Sequence, residues 1–181
     1  DLPQGPQPAD PPPDADVRIA YGPEPLQFGD LRLPRGAGPH PVAVVVHGGY
    51  WQAIHNLTHA GHLCVDLASH GVATWNVEYR RLGDPGGGWP ATRDDVRLAL
   101  DHVLELAATY PLDLDRIVVL GQSAGGHLAL LDVEQTRVRL RAVVSLAGVV
   151  DLPMLDAAVS DRALTRRPLG GGPDALSARW R

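Results

Sequence analysis

Lysine is missing from this chain. All sixteen basic residues are arginine, set against twenty-one acidic ones for a net charge of −5. That balance leaves no basic field suited to nucleic acid, so no nucleic-acid partner is expected. Arg137, Arg139 and Arg141, and again Arg162, Arg166 and Arg167, are locally basic; each cluster reads as a phosphate-binding patch or as a solvated face. Cysteine is almost absent as well. Cys64 stands alone, which excludes an internal disulfide and makes a cytoplasmic, reducing location the expectation. Its own reading is that of a small buried hydrophobe within a helix. No run reaches the roughly eighteen apolar residues of a membrane span, so no membrane partner is expected either. Residues 1–16 lack the charged-then-apolar pattern of a signal peptide, although a chain opening on Asp1 is compatible with a trimmed leader.

What the chain does have is enough apolar content, 44% over 181 residues, for one domain with a real core. Residues 1–16 carry six prolines and few apolar anchors, the composition of a flexible or clinging arm. A single domain is expected over 17–181. Val17–Tyr21 and Leu26–Leu33 alternate as edge strands do, with Gly22-Pro23 as the turn between them. Val42–Val46 is a continuous run of the kind found in strands buried on both faces. Helical spacing follows over 57–69, closed by Gly71, and more strongly over 92–108, stopped by Pro111. Val72–Val77, Ile117–Leu120 and Ala142–Leu146 read as further strands, the last two buried like the first. Strands alternating with helices predict a mostly parallel sheet with helices on both faces. In such sheets ligands gather at the carboxyl ends of the strands.

Two motifs fall there. Gly121-Gln122-Ser123-Ala124-Gly125 directly follows Ile117–Leu120 and precedes a helical stretch. It fits the Gly-x-Ser-x-Gly elbow, in which a tight strand-to-helix turn exposes the serine oxygen and the next amide faces developing negative charge. The alternative is an ordinary βα turn with an incidental serine. His47-Gly48-Gly49-Tyr50-Trp51 ends the most hydrophobic strand. Its paired glycines can present successive amides to an oxyanion, or the segment is a strand-ending loop with a structural histidine.

Together these residues resemble the α/β-hydrolase superfamily, and are similar in particular to bacterial esterases of the hormone-sensitive-lipase and kynurenine-formamidase kind. The resemblance runs from about Leu26 to Leu152. It takes in Glu78-Tyr79-Arg80-Arg81, Gly86-Gly87-Gly88-Trp89-Pro90-Ala91 with Asp94-Asp95, the elbow through His127, and Leu146-Ala147-Gly148. It implies an α/β-hydrolase fold, an ester or amide substrate of small size, and no cofactor or metal. Ser123 becomes the nucleophile, with the amides of Gly49, Tyr50 and Ala124 as oxyanion donors. His47, Gly48, Trp51, Gly121, Gln122 and Gly125 support them. Tyr50, Trp51 and Trp89 either line an acyl pocket or pack.

A serine nucleophile needs a histidine base and an orienting acid, which in this superfamily follow it in the order acid, then His. Only His127 follows Ser123, one turn along the same helix, and is expected to be structural. Asp151 is a candidate acid, or else a helix cap or loop carboxylate. His47 is expected to brace the oxyanion loop, and His55, His59, His62, His70 and His102 to lie on the surface. The resemblance therefore implies a fold incomplete at its C-terminus, roughly two-thirds to three-quarters of a hydrolase domain. A non-catalytic relative that uses the scaffold for binding is the second reading. A prolyl-oligopeptidase-type peptidase would need a further large domain. Nothing in the sequence fixes the oligomeric state.

Overall fold

A computed structural model of the chain describes residues 10–131, 135–158 and 166. Six strands make one sheet in the order β1-β2-β4-β3-β5-β6. They are β1 (Val17–Ala20), β2 (Phe28–Arg32), β3 (His40–Val46), β4 (Ala73–Val77), β5 (Leu112–Gln122) and β6 (Leu140–Leu146). β1 and β2 run antiparallel to their neighbours, whereas β4, β3, β5 and β6 are mutually parallel. The helices are α1 (Gly61–Ser69), preceded by a 3-10 turn Leu57–Ala60, then α2 (Ala91–Asp101), α3 (Val103–Leu106), α4 (Ala124–Leu131) and α5 (Leu152–Ala158). This is the α/β-hydrolase arrangement, a mostly parallel sheet with helices.

The apolar run Val42–Val46 is buried on both faces, as expected for β3. Val42, Val44 and Val46 join Val96, Leu100 and Leu128 in the larger core, while Ala43 and Val45 meet Cys64 of α1 on the opposite face. Cys64 is thus the small buried hydrophobe its surroundings foretold, its thiol pushed up to about 11 by burial.

Three expectations need correction. β2 is not an edge strand: it pairs with β1 on one side and β4 on the other, and Gly29 gives its backbone contact with the Trp75 ring. The helix over 92–108 is interrupted at His102. There Trp75 Nε1 donates to the carbonyl of Ala99 (3.1 Å), four residues before Val103. Finally, β6 is not a strand buried on both faces, for Val144 and Leu146 are 38% and 40% exposed. It is the outermost strand, past the cover of α1, so apolar residues suited to an interior face outward among the described residues.

Of the expected arm, residues 1–9 lie outside the described residues. Residues 10–16 follow the surface: Pro13 O accepts from Arg32 Nη2 (2.8 Å), Asp16 Oδ2 accepts from the Leu33 amide (2.6 Å), and Asp10 O lies 2.9 Å from His62 Nε2.

Candidate active site

The parallel register Val46↔Gly121 brings the ends of β3 and β5 to one edge of the sheet, so the two motifs meet there. Ser123 sits between β5 and α4 with φ +54°. A left-handed backbone at a residue with a side chain costs about 1–2 kcal/mol and persists only when its surroundings fix it. Here they do. Its amide donates to Leu146 O (2.9 Å), and its carbonyl accepts from the amides of His127 and Val149 (both 3.2 Å). The residue is half-buried, and among the described residues its hydroxyl has no hydrogen-bond partner.

Glycine is required at two points of this seam. A Cβ on Gly125 would stand 2.2 Å from Val46 O and 2.5 Å from His47 O. One on Gly48 would lie 2.7 Å from Gln122 O and 3.1 Å from Ser123 Cβ. The His47–Trp51 segment and the elbow are therefore in direct contact. Gly121 is similarly close to the Gly125 carbonyl.

Past Gly48 the chain turns through three left-handed residues: Gly49 (φ +114°), Tyr50 (+53°) and Trp51 (+56°). Gln52 N closes the turn on Gly49 O (3.0 Å), and Leu82 N holds Trp51 O (2.8 Å). Among the described residues the amides of Gly49 and Tyr50 enter no hydrogen bond. Ala124 opens α4, where an amide has no preceding turn to bond. The three amides named from the sequence thus lie on the two loops that meet at this seam.

His47 is buried and stacks on the Tyr79 ring at 4.4 Å, and the Tyr79 hydroxyl donates to His47 O (2.7 Å). His47 Nδ1 lies 2.8 Å from Gly48 O and Nε2 lies 3.1 Å from Glu78 Oε1. Sequence reasoning singled out His47 but not Glu78. The signal was there: with Val46 beside Val77 in parallel register, His47 and Glu78 are each the first residue past their strand.

The remaining candidates are placed as follows. Trp51 is buried and packs edge-to-face on His127 (5.4 Å), so it is a packing residue; Tyr50 and Trp89 are half-buried against the same core. His127 is buried, and its ring nitrogens and Trp51 Nε1 have no hydrogen-bond partner among the described residues. Burial alone lowers its pKa to about 4. Asp151 caps α5, its Oδ1 accepting from Met154 N at 2.7 Å. His59 and His70 are exposed as expected, but His55, His62 and His102 are half-buried. His55 lies against Gly49, and burial, then neighbouring His59, lowers its pKa. His40, which starts β3, is a further buried histidine. A cavity of about 100 Å³ opens beside Gln122, with His47, Leu63 and Leu146 in its wall. Among the described residues no three His, Cys, Asp or Glu side chains converge as metal ligands would, and no helix is long and apolar enough to cross a membrane.

Comparison with known proteins agrees with this fold. The BD-FAE family model matches residues 30–171. The chain belongs to the BD-FAE family. This family likeness extends to α/β-hydrolase esterases more widely. Over 134 residues the chain is 31% identical to a probable carboxylic ester hydrolase, LipM, of Mycobacterium tuberculosis, covering 67% of this chain and 31% of that protein. Esterase LipC of the same organism is 31% identical over 116 residues, or 63% and 28% of the two chains. Among solved structures, a bacterial heroin esterase superposes with a TM-score of 0.67 at 28% identity, covering 91% of this chain and 53% of that one. Esterase B from Lactobacillus rhamnosis, at 24% identity and a TM-score of 0.76, shares the fold, with 94% and 61% covered. The chain thus spans less than a third of these two curated relatives and 53% and 61% of these two structures.

Proposed function

We propose that this chain supplies the nucleophile and the oxyanion donors of a serine carboxylesterase or amidase acting on small substrates. The observation that carries the reading is the contact between two loops: Ser123, at φ +54°, stands against Gly48, next to the unpaired amides of Gly49 and Tyr50. Ser123 Oγ attacks the substrate carbonyl carbon while a base takes its proton. The carbonyl oxygen becomes an oxyanion held by the amides of Gly49, Tyr50 and Ala124, each such donor contributing a factor on the order of 10²–10³ in rate. Collapse of the tetrahedral species expels the alcohol or amine, which takes up the proton, and leaves an acyl-serine. Water, deprotonated by the same base, then releases the acid.

No described histidine bonds the Ser123 hydroxyl, and Asp151 is occupied as a helix cap, so in this reading base and acid come from outside the described residues. The same observation favours one second reading, a binding protein built on the hydrolase scaffold. The complete gene product separates them. A fluorophosphonate probe is expected to label Ser123, and hydrolysis of a short p-nitrophenyl ester is expected to vanish in Ser123→Ala. An unlabelled Ser123 together with no hydrolysis would leave the binding reading standing.

A further inference from the structure

Glu78 is the buried hub behind the oxyanion turn. Its Oε1 lies 3.1 Å from His47 Nε2 and 2.9 Å from Arg81 Nη1, and accepts from the Tyr79 amide at 3.1 Å. Its Oε2 accepts from the Leu57 amide, also at 3.1 Å. Arg81 in turn donates to the His55 carbonyl, and its Nε to Asp84 Oδ2 (3.0 Å). One carboxylate therefore ties the end of β4 to both ends of the loop running from His47 to Leu57, the loop that carries Gly48, Gly49 and Tyr50.

The histidine contacts fix the chemistry of the pair. His47 Nδ1 faces a carbonyl oxygen, which can only accept, and Nε2 faces a carboxylate oxygen that already receives Arg81 and the Tyr79 amide. A neutral imidazole has one donor and one acceptor nitrogen, whereas two acceptors demand an N–H at each. With ring and carboxylate both buried, each satisfies the other. The Nδ1–H bond then orients the Gly48 carbonyl toward the ring. Because a peptide unit is planar, fixing that carbonyl fixes the opposite direction of the Gly49 N–H, the first oxyanion donor.

We infer that Glu78 is a positioning residue for the hydrolytic site: it holds His47 as a two-donor imidazolium, and His47 thereby aims the Gly49 amide at the oxyanion. This inference rests on the hydrolase reading for its catalytic consequence, though not for the state of the ring. Carboxylates that orient a metal-ligating histidine change metal affinity or activity by about 10–100-fold, and the same scale is expected for this metal-free pair.

The test uses the complete gene product and the variant Glu78→Gln, which keeps the shape and removes the carboxylate. Nitrogen-15 NMR of the wild-type His47 ring at pH 7 is expected to show a proton on both nitrogens, and Glu78→Gln a proton on one. Hydrolysis of a p-nitrophenyl ester by the variant is expected to lose about 10–100-fold in kcat with KM within about twofold, since an oxyanion donor acts mainly in the transition state. Glu105→Gln, which breaks the solvent-facing His102–Glu105 pair, serves as the control and keeps wild-type kcat. A wild-type His47 ring with a single N–H overturns the proposal even if Glu78→Gln fails to fold, and so does a folded Glu78→Gln with wild-type kcat. If the wild type hydrolyses no ester, the hydrolase reading fails on its own, and the ring spectrum still decides the Glu78–His47 pairing.

Discussion

His47 ends β3 and His127 lies four residues past Ser123 in α4. Both rings are buried beside the elbow, yet their surroundings treat them oppositely. His47 has an oxygen at each nitrogen; His127 has none among the described residues, only the edge of Trp51 and apolar contacts. One environment offers an acceptor to each ring nitrogen, and the other offers none. Residue type and burial alone thus say little about what a histidine does, because the atoms facing its two nitrogens decide that. In the proposed mechanism Ser123 needs a base, and neither ring hydrogen-bonds its hydroxyl. The first is committed to oxygens on both sides, and the second is held neutral by burial, with a pKa near 4.

Experiments can break or sharpen this contrast. The largest effect is expected at the residue the two histidines flank, where Ser123→Ala removes esterase turnover altogether, read with a p-nitrophenyl ester. Next is the seam itself. Gly125→Ala puts a methyl 2.2 Å from Val46 O and 2.5 Å from His47 O, backbone that cannot step aside. Destabilisation of about 3 kcal/mol or more is expected by urea unfolding. His47→Ala is expected to cost about 3 kcal/mol, since it leaves the Gly48 carbonyl and one face of Glu78 without their donor. His127→Phe should change stability by less than about 1 kcal/mol at pH 7, because it trades an unpartnered polar ring for an apolar one of similar shape.

Acid distinguishes the two further. His127 binds a proton more readily when unfolded, with an ordinary pKa of 6.5 against about 4 when folded. Its neutral burial therefore carries no penalty above pH 6.5. As pH falls from there to about 4, the unfolded state gains protons that the folded state refuses, and on the order of 3 kcal/mol of stability is lost. His127→Phe should flatten that part of the urea-midpoint profile. An unchanged acid limb would show that another group governs it.

Much of the fold was legible because it follows from local pattern. The β-branched run over 42–46 could only be a central strand, and the Gly-Gln-Ser-Ala-Gly turn after Ile117–Leu120 announced its own geometry. What stayed hidden depends on neighbours. The apolar residues of β6 read as interior on both faces, but Val144 and Leu146 lie on the face away from α4, which the described residues leave partly open. The break at His102 falls where an indole twenty-four residues away in sequence bonds the Ala99 carbonyl. In the site, Ser123 and the His47–Trp51 segment were visible as motifs. Glu78 was visible only as part of a family resemblance, since its role depends on strand register and on Arg81 arriving from the same loop.

The contact of Gly125 with the backbone of Val46 and His47 has a consequence for how this site tolerates change. Main chain rests on main chain there, with no flexible side chain between them to act as a shim. Such a gap is set by atomic radii, and close-packed matter is nearly incompressible. Substitutions deep in the sheet should carry both loops along as one block. They would reduce the lifetime of the folded chain well before they altered the spacing at which a carbonyl is received.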